Sequence, residues 1–156
     1  AASGAEVAGA NRTVIDAAHD YGLQLGMAFQ IMDDAMDYSL SSDAMGKNSG
    51  DDFLDQKITL PLIIAYGDGT DAERDFWQRT IGDGAFTNGD FDTACRILDR
   101  YDAIDRSVTE AGKYAGAATA ALDRIADQTN TGQTSAITAL LDALSEAARF
   151  AAHRQN

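Results

Sequence analysis

At 156 residues, 45% of them hydrophobic, the chain is long enough for one compact domain with its own core, and nothing in it demands a second. A formal net charge of −13 argues against nucleic acid as a partner, because binding a phosphate backbone takes clustered Lys and Arg, and it disfavours anionic membrane surfaces likewise. The single cysteine precludes an intrachain disulfide, and the absence of a long apolar run or a signal-peptide pattern leads us to expect a cytoplasmic protein without stable membrane insertion.

One proline, many alanines and long apolar periodicities with almost no alternating β-branched runs predict an all-α helical bundle. Residues 1–10 are small and helix-compatible. They begin without methionine and read like the interior of a helix, so we expect a piece of a longer protein. Thr13 is placed to cap a long helix running to about Tyr38. Within it Gly22 and Gly26 would each cost about 1 kcal/mol against alanine, which predicts close packing of a neighbouring helix as compensation. Leu25, Phe29, Met32 and Met36 follow a helix seam, and Met27, Ile31 and Ala35 make its flanks apolar, so the helix is expected inside a bundle.

The same helix carries Asp33, Asp34 and Asp37. At 3.6 residues per turn Asp33 and Asp37 stack on one face and Asp34 sits one step round, so all three share a sector and repel. Such a cluster calls for a cation. Ser39 to Gln56 shows no sustained apolar period and reads as a loop, longer than most connections and of the length that usually serves function.

Thr59-Leu60-Pro61 opens a short apolar helix ending at Gly67. Thr70 to Glu73 matches a capping box and starts a helix carrying Phe76, Trp77 and Ile81. Gly82 to Gly89 is a connector, and Asp90 is placed to cap a helix through Ala94, Ile97 and Leu98. Asp102 or Asp105 begins a long alanine-rich helix to about Gln128, and Ser135 to about His153 forms the last. Cys95 reads as a packing residue, His19 and His153 lack metal-ligand spacing, and Asp83 to Asp92 lacks the ligand order of a calcium loop.

Two of the three lysines, Lys47 and Lys57, follow the aspartate helix directly. Carboxylates bind hard divalent cations, Mg²⁺ shares its remaining positions with substrate phosphates, and lysine neutralises further phosphate charge, so the stretch reads as a diphosphate site. Asp51, Asp52 and Asp55 either hold the lysines, extend the acidic rim or are simply solvated.

Phe29-Gln30 followed by Asp33-Asp34-Ala35-Met36-Asp37, Gly46-Lys47, Gly50-Asp51 and Lys57-Ile58-Thr59-Leu60-Pro61 closely resembles the second aspartate-rich region of trans-polyprenyl diphosphate synthases, of the bacterial long-chain, octaprenyl type. The resemblance implies the C-terminal portion of the isoprenoid synthase fold across residues 1–156. It also implies head-to-tail condensation of isopentenyl diphosphate with an allylic prenyl diphosphate, in an enzyme that is a homodimer when intact. It assigns Asp33, Asp34 and Asp37 as Mg²⁺ ligands and Lys47 as a diphosphate contact. Phe29 and Gln30 line the substrate cavity, Lys57 is a further substrate-binding residue, and no residue serves as a catalytic nucleophile.

The family's first aspartate-rich motif and its upstream lysine are absent from residues 1–28, so the chain is expected to be inactive alone. The alternatives are a noncatalytic subunit or diphosphate-binding module completed by a partner chain, and a cyclase of the same fold. The lysine-bearing loop and the Lys57 to Pro61 segment fit the cyclase less well.

Overall fold

A computed structural model of the chain describes residues 1–39, 50–129 and 135–152, and every regular element among them is helical. In chain order these are α1 (Ala2–Val7), α2 (Arg12–Ser39), α3 (Asp51–Leu54), α4 (Leu60–Asp68), α5 (Asp71–Trp77), α6 (Asp90–Arg100), α7 (Ala103–Thr129) and α8 (Ser135–Ala152). Among the described residues no helix is long and apolar enough to cross a membrane. His153 lies outside the described residues.

Most expected elements are present, and the differences have local causes. The cap of α2 is Asn11, whose Oδ1 accepts from the Val14 amide at 3.0 Å, and Thr13 lies inside the first turn. A side-chain oxygen three residues before an unsatisfied amide is the geometry a cap needs, and Asn11 has it. The capping box is formed as expected: Thr70 Oγ1 accepts from the Glu73 amide and Glu73 returns to the Thr70 amide. Asp90 is not a cap. Gly89, at φ 85°, takes that position, and the Asp90 carboxylate turns to Arg79 and to the Thr87 amide. Beyond α5 the chain widens into a π-helical turn, Gln78–Gly82, before the connector.

The chain divides into two units, residues 1–30 with 110–156, and residues 31–109. In the first, small residues set the packing. Tyr21, Ala118, Ala121, Leu122 and Ala148 form one buried cluster, flanked by Leu25, Ile125, Leu141 and Leu144, and Ala28, Ala115 and Ala151 form another. Alanines at this spacing line one face of α7 and let neighbouring backbones approach. Tyr21 satisfies its hydroxyl by donating to the Leu144 carbonyl at 3.0 Å. Gly22 lies against Ala1, where an added Cβ would stand 3.2 Å from the Ala1 Cβ, but among the described residues Gly26 faces nothing within 4 Å. Close packing therefore accounts for one of the two glycines only.

The second unit has an aromatic core: Tyr38, Phe53, Leu62, Trp77, Ile81, Ile97 and Leu98, with Phe76, Phe86 and Phe91 against it. Two ion pairs brace this core. Glu73 accepts from the Thr70 amide and Thr70 Oγ1, both at 2.8 Å, from the Tyr101 hydroxyl at 2.7 Å, and from Arg100. These donors, the Thr70 amide foremost, hold its carboxyl at about 2, well below the usual range. Asp90 receives both ends of the Arg79 guanidinium at 2.8 Å, and Arg79 holds its carboxyl well below the usual carboxylate range. Cys95 is half-buried and its thiol is pushed up by burial, in line with a packing role.

Candidate functional site

The aspartates of α2 sit where the helix is only partly shielded. Ile31, Met32, Ala35 and Tyr38 are buried, whereas Asp33, Asp34, Met36 and Asp37 are intermediate. The apolar positions anchor one side of the helix and leave the carboxylates at its margin. Met27 and Phe29, expected among the buried flank and seam, are 40% and 43% exposed. Phe29 and Gln30 belong to the first unit and are exposed there, so the described structure assembles the candidate site from the second unit alone.

The segment after α2, expected to be loop as far as Gln56, contains α3, and that one helical turn organises the site. Its cap, Gly50, has φ 87°, and a Cβ there would stand 2.6 Å from the Phe91 ring, so glycine is required on both counts. Phe53 is 1% exposed and meets Phe86, Phe91 and Trp77 at ring separations of 5.2, 5.8 and 6.5 Å. Burying a side chain of this size contributes about 1.5–3 kcal/mol, enough to fix a four-residue turn that has no cooperativity of its own.

Pinned in this way, the turn closes over Asp37. The Gly50 amide donates to the Asp37 carbonyl at 3.2 Å, and the Asp52 amide donates to Asp37 Oδ2 at 3.1 Å. Burial nevertheless raises the Asp37 carboxyl above its ordinary value, and the Asp52 carboxylate nearby adds to the rise against the lowering by the amides. Among the described residues no Lys or Arg forms an ion pair with Asp37. Asp52 holds the nearest cation instead: its Oδ1 accepts from Lys57 Nζ at 2.5 Å and its carbonyl accepts from the Lys57 amide at 2.9 Å. Asp55 lies 3.8 Å from the same ammonium. Of the open readings for the loop aspartates, Asp52 and Asp55 thus hold a lysine, and Asp51 is exposed. The hydrogen bond from Lys57 to Asp52 favours the charged ammonium.

The donor set is oxygen only, which suits a hard cation such as Mg²⁺ or Ca²⁺. Among the described residues no group of three or more His, Cys, Asp or Glu side chains could hold a metal ion by itself. Mg²⁺ needs no such cage, since it keeps waters and is bound through one or two carboxylates plus substrate phosphates. Lys47 and Gly46 lie outside the described residues. The turn itself was missed from sequence, although Gly50 followed by two acidic residues and an aromatic carries the signal of a short helix start with an anchor.

Residues 1–98 match the polyprenyl synthetase family model. The octaprenyl diphosphate synthase of Haemophilus influenzae is 34% identical over 117 residues, which is 75% of this chain and 35% of that protein. The octaprenyl diphosphate synthase of Escherichia coli is 43% identical over 65 residues, 42% of this chain and 20% of that protein. The crystal structure of a polyprenyl synthase from Caulobacter crescentus, complexed with calcium and isoprenyl diphosphate, superposes with a TM-score of 0.79 at 37% identity, covering 99% of this chain and 44% of that one. A decaprenyl diphosphate synthase from Rhodobacter capsulatus gives 0.82 at 31% identity, with 99% and 45% covered. The chain thus spans 35% of the length of the first of these curated relatives and under half of each solved structure.

Proposed function

Because the chain belongs to the polyprenyl synthetase family, we propose that it carries the second aspartate-rich motif of a long-chain prenyltransferase, which condenses isopentenyl diphosphate head-to-tail with an allylic diphosphate. The observation that carries this reading is the closure of the turn 50–57 over Asp37, which gathers partly buried carboxylates and a held ammonium in one unit. Asp33 and Asp37, with Asp34 in support, would hold Mg²⁺. Bound there, the ion supplies electrostatic stabilisation to the leaving diphosphate. Lys57 and Lys47 contribute positive charge to the same diphosphate, and Phe29 and Gln30 line the path of the prenyl chain.

In the reaction the allylic C–O bond breaks with its electron pair leaving on pyrophosphate, the double bond of isopentenyl diphosphate forms the new C–C bond, and a proton is lost. The residues named here bind and orient; none attacks. Burial and the neighbouring Asp52 raise the Asp37 carboxyl, and a divalent charge bound there would favour its ionised form. The calcium and isoprenyl diphosphate of the Caulobacter complex supply a precedent for this pairing in a relative. The intact enzyme is read as a cytoplasmic homodimer.

The test is a transplant. A Caulobacter synthase whose matching segment is replaced by residues 1–156 should make prenyl diphosphate from labelled isopentenyl diphosphate, an allylic primer and Mg²⁺, while the 156-residue chain alone makes none. A folded but inactive chimera, or robust turnover by the chain alone, contradicts the proposal.

A further inference from the structure

Resting on the reading of Lys57 as a diphosphate contact, a further role falls to a residue that the diphosphate site does not itself require. Asp52 makes three contacts with the two ends of that site. Its amide donates to Asp37 Oδ2 at 3.1 Å, its carboxylate accepts from Lys57 Nζ at 2.5 Å, and its carbonyl accepts from the Lys57 amide at 2.9 Å. Gly50, packed against Phe91, caps the turn two residues before it, and buried Phe53 follows it directly. The side chain of Asp52 is only 13% exposed, whereas that of Lys57 is 56% exposed. The aspartate is therefore the shielded partner and the lysine the exposed one.

We propose that Asp52 is a positioning residue: one rigid turn uses its amide to aim the Asp37 carboxylate and its carboxylate to aim the Lys57 ammonium. The metal-side and phosphate-side groups are then set by a single backbone position. A free lysine loses much rotamer entropy when it is held against an anion, and a fixed acceptor removes part of that cost before the anion arrives.

The electrostatic sign makes the idea testable. Removing a carboxylate beside an anion site should tighten anion binding by Coulomb's law alone, whereas removing a positioning residue should weaken it. The probe is inorganic pyrophosphate with Mg²⁺, titrated by calorimetry into the 156-residue chain and its variants, each checked for native circular dichroism. Asp52→Ala and Asp52→Asn remove the same charge, but only the amide keeps an acceptor for Lys57.

Asp52→Ala is expected to weaken pyrophosphate by about tenfold, the scale of one hydrogen bond to a charged group, with Asp52→Asn recovering most of the loss. Lys57→Ala should weaken it similarly, and the double variant Asp52→Ala with Lys57→Ala should be no weaker than Lys57→Ala alone. If Lys57→Ala weakens binding while Asp52→Ala tightens it or leaves it unchanged, the positioning role is overturned and the diphosphate site stands. If the unaltered chain does not bind, or Lys57→Ala binds as well as it does, the site reading fails and this inference fails with it.

Discussion

Asp37 and Glu73 lie in the same unit, both shielded and both hydrogen-bonded, yet their carboxyls shift in opposite directions. Glu73 gathers two hydroxyls, an amide and the Arg100 guanidinium and drops to about 2. Asp37 receives amides and faces another carboxylate, and burial raises it. A carboxylate supplied with donors gains stability when ionised, whereas one desolvated beside a like charge loses it.

The comparison breaks most severely if the frame under Asp37 is removed. Phe53→Ala should cost about 3–5 kcal/mol by chemical denaturation, the range for truncating a buried aromatic, and should abolish metal-dependent pyrophosphate binding with it. Asp37→Asn should do the reverse for stability. A raised carboxyl is destabilising once ionised, above its ordinary range, so at neutral pH the variant should melt no lower than the native chain while pyrophosphate with Mg²⁺ binds at least about tenfold more weakly.

Glu73→Gln tests the other arm. A depressed carboxyl adds stability that is complete above its ordinary value of 4.5 and is lost as pH falls through about 2. The native chain should therefore lose stability across that window in acid denaturation, and the variant should show a shallower dependence from a lower plateau. The smallest effect belongs to the exposed pair of Asp68 and Arg106, where Asp68→Asn should shift unfolding by less than about 1 kcal/mol.

The helices were legible because their signals are local: Thr70 to Glu73 spells its own cap, and Pro61 its own first turn. The aspartates and Lys57 carry equally local signals, residue type and spacing that point to carboxylate–cation and ammonium–phosphate chemistry, and the site proposed above rests on them. Phe53 was not, because one aromatic in an acidic, glycine-bearing stretch has no periodicity, and its burial depends on Phe86, Phe91 and Trp77 arriving from later in the chain. Asp90 was misread as a cap for a related reason. Its true partner, Arg79, sits across a connector that no capping rule looks beyond. Gly22 and Gly26 carry the same propensity cost and so the same expectation of close packing, and only the structure separates the two.

The central claim is that the margin of α2 and the turn 50–57 form one metal-dependent diphosphate site. Manganese titrated into isotope-labelled chain, with and without pyrophosphate, broadens the amide resonances nearest the bound ion. The account predicts that pyrophosphate concentrates the broadening on residues 33–37 and 50–57. Broadening spread evenly over the acidic surface, or centred on the connector around Asp83 to Asp92, would contradict it.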